Sequence, residues 1–173
     1  MLNSVNTKLT NYAVYLNGSQ LLGEADITLP DIEAASDSIK GPGIVGEVDM
    51  PTLRMPGSMP ITINWRTINE DLLELVKPQA HDLEFRGALE VYDSSTGELN
   101  DVAVVVKVRA LTKKAGLGKF ESSATMDSST EMECVYIKVM YDNETRIEID
   151  KFAYVFKIKG TDYMAGIRAA LGL

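Results

Sequence analysis

Few side chains in this sequence could do covalent or metal chemistry, and their spacing does not suit it. The only histidine, His81, follows Pro78-Gln79-Ala80 and precedes Asp82, a stretch that reads as a polar connection. A metal site wants two or more His or Cys ligands, and the nucleophile elbow of a serine hydrolase is absent. The only cysteine, Cys134, alternates with Met132 and Tyr136. It reads as a buried or interfacial strand residue, since a nucleophile would need a partner base. Lys113-Lys114-Ala115-Gly116-Leu117-Gly118-Lys119 has the residue types of a phosphate loop. It lacks the glycine five residues before Gly118 and the Ser or Thr after Lys119, so it reads as a basic, flexible hairpin tip. Carboxylates are abundant (Glu24, Asp26, Asp31, Glu33, Glu47, Asp49 and the run from Asp142 to Asp150). They lack the one-three-five spacing and closing Glu of a calcium loop, and read as a solvated face or, in an assembly, as the wall of an acidic channel. These residues predict no catalytic site, no metal and no cofactor.

The elements that would position them are mostly strands. Tyr12 to Leu16 and Ser19 to Leu22 flank Asn17-Gly18, the dipeptide of a tight hairpin. Asn17-Gly18-Ser19 and Asn143-Glu144-Thr145 also match glycosylation acceptors, but without a secretory signal the turn reading prevails. From Pro30 to Gly46, Asp, Ser, Gly and Pro dominate and no period persists, which predicts a long loop. Loops of that length inside compact domains usually serve a partner, so Asp31, Ile32, Ile39, Lys40 and Gly43 are candidate inter-subunit contacts. Val48 to Leu53 and Ile61 to Ile68 read as extended, and Asn69 as the cap of a short helix through Lys77. Leu72, Leu73, Leu75 and Val76 form the apolar side of that helix, and Pro78 stops it.

The second half reads as strand after strand: Leu83 to Tyr92, Val102 to Leu111, Met132 to Tyr141 and Ile147 to Ile158. Val102, Val104, Val106 and Val108 share one face while Lys107 and Arg109 take the other, the mark of a half-buried antiparallel strand. In the last strand, Arg146, Glu148 and Asp150 give way on their face to Phe152, Tyr154 and Phe156, which predicts a change of environment along one long strand. A short helix after Gly160, capped by Thr161 or Asp162, carries Met164, Ile167 and Leu171 on one side. Residues 1–173 thus predict a single, mostly β domain: an antiparallel β-sandwich or barrel with one central α-helix and a short C-terminal one.

Composition narrows the function classes. A hydrophobic fraction of 45% with 24% charged residues is that of a soluble globular protein, and no apolar run is long enough to span a membrane. The polar segment Met1 to Thr10 predicts no signal peptide, and one cysteine suits a reducing compartment. A net charge of −8 opposes nucleic-acid binding, which needs clustered cations, yet is compatible with a channel through which DNA slides.

Short motifs in a fixed order carry a family likeness. They are Tyr15-Leu16-Asn17-Gly18 before Leu22-Gly23, then Ile27-Thr28-Leu29-Pro30, and above all the ending. There a last strand leads through Lys157-Ile158-Lys159-Gly160-Thr161-Asp162 into a helix closing on Ala169-Ala170-Leu171-Gly172-Leu173. The sequence resembles the major tail tube protein of contractile-tailed bacteriophages and R-type bacteriocins over nearly its whole length, although Gly41 to Gly57 is richer in Pro and Met than the family pattern. The resemblance implies a virion tail protein, made in the host cytoplasm, that joins five copies in a hexameric ring through strand edges and stacks into a tube. Six copies at −8 each would carry −48 per ring, and DNA would pass without specific binding. Sheath, baseplate or initiator, and tape-measure proteins are the partners it implies. In such an assembly Lys113, Lys114 and Lys119 are further candidate contacts, pairing with a neighbour's acids to set register. The alternatives are the tube of a genome-free particle, R-type bacteriocin or type VI secretion-like, and a monomeric β-sandwich binding module. The second would show exposed aromatics on one face, and aromatics are only 7% of the chain.

Overall fold

The computed structural model describes residues 4–18, 20–22 and 25–173, so Ser19, Gly23 and Glu24 lie outside the described residues. Twelve strands and two helices follow one another among them. These are β1 (Ser4–Leu16), β2 (Gln20–Leu21), β3 (Ala25–Thr28), β4 (Ala34–Ile39), β5 (Val48–Pro56) and β6 (Pro60–Trp65), then helix α1 (Glu70–Leu75). After it come β7 (Ala80–Asp93), β8 (Leu99–Gly116), β9 (Ser128–Tyr141), β10 (Glu144–Asp150), β11 (Val155–Ile158), β12 (Thr161–Asp162) and helix α2 (Ala165–Leu171). The main sheet runs in the order β12-β11-β10-β9-β8-β7-β1-β2, with antiparallel pairs throughout. The mostly antiparallel β class read from the sequence is the one observed.

A bulge in β9 turns this sheet into a two-layered body. Arg109 pairs with Tyr136 and Ala110 with Cys134, leaving Val135 as an extra residue whose carbonyl accepts the Lys151 N–H at 3.0 Å. Before the bulge the outer neighbour of β9 is β6, after it β10. An extra residue also reverses which side chains point inward, so Met132, Cys134 and Ile137 are buried while Tyr136 moves to the opposite face. Strict alternation had placed Tyr136 beside Cys134; the bulge overrides it. β6, with β3 on its far edge, folds over the inner face of the sheet, and the Tyr12 hydroxyl ties β1 to the Ala25 carbonyl at 2.6 Å. Between the layers lie Leu16, Ile61, Ile63, Leu83, Val108 and Ile149, each 3% exposed or less. The Trp65 indole N–H, buried with them, donates to the Thr130 hydroxyl at 3.1 Å, which removes the cost of an unpaired donor.

Helix α1 closes one end of this core. The Asn69 carboxamide oxygen accepts the Leu72 N–H at 2.8 Å, the expected cap. Leu72 and Leu75 are fully buried, but Leu73 and Val76 are exposed: in so short a helix one i, i+3 pair reaches the core and the next residues round the turn face away. The Asn17-Gly18 turn is also as expected, with both residues at positive φ, 51° and 82°.

Four expectations give way to the structure. The segment Pro30 to Gly46 is not all loop, because Ala34–Ile39 form β4 and pair with β5 from Ile39↔Val48 to Ala34↔Pro56. Small and polar residues obscured the strand, which gains its ladder from β5 and not from burial. The basic hairpin tip is largely strand, since β8 continues through Gly116. The long last strand is a hairpin. Asp150 ends β10 and its carboxylate oxygen accepts the N–H groups of Phe152 (2.9 Å) and Ala153 (2.8 Å), while Tyr154 takes φ 51°. The passage from charges to aromatics therefore marks a turn, not a change of environment along one strand. At the C-terminus, Thr161–Asp162 form β12 and α2 starts only at Ala165, with Met164 in the cap position. Asp162 still serves that start, accepting the Met164 N–H at 3.0 Å. Met164 is buried, whereas Leu171 is 57% exposed.

Candidate assembly surfaces

Neither residue with nucleophilic or basic chemistry is accessible. His81 stands at the start of β7, fully buried, and not in a polar connection. Its Nε2 lies 3.3 Å from the Lys77 carbonyl, and its Nδ1 has no partner among the described residues. Register explains the burial, since His81 pairs with the buried Ala110 on the core face. Cys134 is fully buried, and desolvation pushes its thiol up to about 12. Among the described residues no three His, Cys, Asp or Glu side chains gather as a metal ion would require, and no helix is long and apolar enough to cross a membrane.

The features that stand out are surfaces. The first is the hairpin β4–β5, none of whose described side chains is buried. Register sorts them onto two faces. Ile39, Val48 and Met50, 43%, 44% and 52% exposed, share one face, and Ser36, Ser38 and Asp49 the other, where the Ser36 hydroxyl donates to Asp49 at 3.2 Å. Val45, at the tip, is entirely exposed. A two-stranded ribbon is marginal in water on its own, and this one leaves Ile39, Val48 and Met50 uncovered on a face they share with Asp37. Of the expected contact residues, Ile39 lies on the apolar face, Lys40 and Gly43 belong to the tip, and Asp31 and Ile32 lie in the connection leading in, all exposed.

The lysines are placed differently. Lys114 pairs with Glu131 of β9 at 3.0 Å, and Lys119 with Glu121 at 3.0 Å and Asp127 at 3.6 Å. Lys113, the extra residue of a bulge in β8, is exposed. The three do not form one basic tip, and two of them already have acidic partners within the chain.

The second surface is the edge of the sheet. β2 covers β1 only at Tyr15 and Leu16, so from Ser4 to Ala13 the outer side of β1 has no strand beside it among the described residues. Val5 and Leu9 on this stretch are about half exposed. Nothing in composition or period distinguishes an edge strand from an internal one; only the pairing map does.

The third surface is the open face of the sheet, opposite the core. Register places one row across it: Tyr15, Glu84, Lys107, Lys138, Glu148, Lys157 and Asp162. Glu84 bridges two cations, Arg86 at 2.6 Å and Lys107 at 3.2 Å. Burial raises the pKa of Glu84, but the hydrogen bonds from Arg86 and Lys107 outweigh it and hold the carboxyl below its ordinary value. The guanidinium of Arg86 also lies over the Tyr15 ring, 4.6 Å from its centre. In the next row Asp82 holds Arg109 through two hydrogen bonds, 2.8 and 3.2 Å. Glu148 takes the Tyr136 hydroxyl at 3.1 Å and pairs with Lys157 at 3.7 Å. Desolvation, with Glu148 beside it, raises the Tyr136 phenol to about 12.

The fold is thus a layered β domain with a strand edge left unpaired among the described residues and a hairpin with no buried side chain. The chain belongs to the phage tail tube protein FII family, whose model matches residues 6–172. It is 27% identical to the tail tube protein of Escherichia phage P2 over 176 residues, covering 96% of this chain and 97% of that one. Among solved structures, it is similar to the sheath/tube terminator of the extracellular contractile injection system PVC in its extended state. That likeness, with TM-score 0.53 and 12% identity over 79% of this chain and 97% of the other, is one of fold. The protein is a tail tube subunit, a component of the virion tail, of a family that is structural.

Proposed function

We propose that this chain forms hexameric rings that stack into the inner tube of a contractile tail and that DNA passes through their channel during ejection. The observation that carries this reading is the outer edge of β1, unpaired from Ser4 to Ala13 among the described residues, beside exposed Val5 and Leu9. Such an edge invites strand addition, and a closed ring satisfies every copy of it without leaving a terminus for uncontrolled growth. Ring closure also assigns the faces. The layer of β3, β6 and α1 adds bulk to one side of the sheet, and bulk fits at the larger radius, so the open face is turned towards the axis. The hairpin β4–β5, with Asp31, Ile32, Ile39, Lys40 and Gly43 in or next to it, is the contact between subunits, with Lys113 as a further charged contact. Sheath, baseplate or initiator, and tape-measure proteins are the partners of the finished tube.

Electron microscopy of the purified protein at rising concentration, with light scattering for mass, tests this. Six-fold rings or hollow tubes are expected; a monomer at every concentration would overturn the reading and favour a monomeric binding module. The same ring would also serve a genome-free injection particle, and the DNA content of purified particles separates the two.

A further inference from the structure

We infer that the open face of the sheet is a charge-compensated wall, whose carboxylates mask its cations so that DNA passes along it without being held. The inference rests on the tube reading above and goes beyond it, because the net charge of −8 suggested an acidic channel instead.

The acidity of the chain does not lie on this face. Residues 24–56 hold seven Asp or Glu and two Lys or Arg, so five of the eight excess negative charges belong to the stretch containing the projecting hairpin. On the row from Tyr15 to Asp162, Lys107, Lys138 and Lys157 stand against Glu84, Glu148 and Asp162, and Arg109 shares the next row with Asp82 and Asp150. The arrangement is also local. Glu84 holds Arg86 and Lys107, Asp82 holds Arg109, and Glu148 holds Lys157, while Lys138 stands in register between Lys107 and Glu148. A phosphate gains affinity by releasing counterions when it meets a free cation. Here each bridged cation would have to give up a carboxylate first, which removes most of that gain. A strongly acidic wall would instead repel the polyanion and raise the work of filling the channel. The compensated face avoids both extremes, and Glu84, which masks two cations, is its most consequential member.

The test is retention of the full-length, unassembled chain on immobilised double-stranded DNA at low salt. The wild type is expected to flow through. The double variant Glu84→Gln, Glu148→Gln frees Arg86, Lys107 and Lys157, and is expected to be retained with a log–log salt slope of about −3, near −0.9 per phosphate contact. Asp82→Asn, which frees Arg109 alone, should be retained with a slope of about −1. The control Asp37→Asn, Asp49→Asn makes the same change in net charge on the hairpin and should not be retained. Retention of the wild type, flow-through of both unmasking variants, or equal retention of the control would overturn the inference. Microscopy of the same wild-type preparation reads the tube separately: tubes with a failed DNA result remove only the compensated wall, and a wild type that never assembles removes both.

Discussion

Replacing Glu133 by glutamine should destabilise the subunit at neutral pH and matter progressively less in acid. Glu133 lies on β9 just before the bulge and ties three elements together. One carboxylate oxygen accepts the Met59 N–H and the Lys151 ammonium, each at 3.0 Å, and the other accepts the Ser58 hydroxyl at 2.6 Å. Burial would raise its pKa, but the bonds from Ser58, Met59 and Lys151 overcome this and bring it from 4.5 down to about 2. Taken whole, that difference is worth at most about 3.4 kcal/mol, at about 1.36 kcal/mol per pH unit. The side chain is 25% exposed, so solvent screening reduces the expected effect to about 1–2 kcal/mol. The folded carboxyl is more acidic than the unfolded one. Its stabilisation is therefore complete above about pH 4.5 and is lost as the pH falls towards 2. Urea unfolding of the dilute, unassembled wild type and Glu133→Gln at pH 7 and near pH 3 measures both quantities. The gap between them should be about 1–2 kcal/mol at pH 7 and clearly smaller near pH 3. A gap that does not change with pH, or none at pH 7, would refute the assignment of Glu133 as a charged tie.

Three further expectations concern assembly and access. Replacing residues 40–47 with a two-residue turn should leave the unfolding free energy within about 0.5 kcal/mol of the wild type, because no side chain there is buried, yet abolish tubes by microscopy. Changing Lys113 to Glu should impair assembly while the monomer stays folded, by circular dichroism; normal tubes would remove Lys113 as a contact. Cys134, buried with its thiol pushed up to about 12, should resist maleimide in the native chain and react on unfolding. That silence makes Lys138→Cys a clean reporter. In tubes it should be reached by a small maleimide and not by one carried on a bulky protein, and labelling by both would place the open face outside.

Much of the fold is legible in the residues because its signals are local. Alternation in Val102 to Val108, the Asn17-Gly18 turn and the Asn69 cap each depend on neighbours a few positions away, and each is found as expected. The short ordered motifs point to the tail tube family for the same reason. What depends on distant partners is not legible. β4 exists because β5 pairs with it, and the Tyr136 side chain changes faces because one residue of β9 is left over against β8. The turn from β10 to β11 hinges on one Asp150 carboxylate capturing two backbone N–H groups, which a count of alternating residues reads as a longer strand. Charge shows the division most plainly. A total of −8 is a property of the sequence, but electrostatic energy depends on distance, so only strand register could set Glu84, Asp82 and Glu148 beside the cations of the open face.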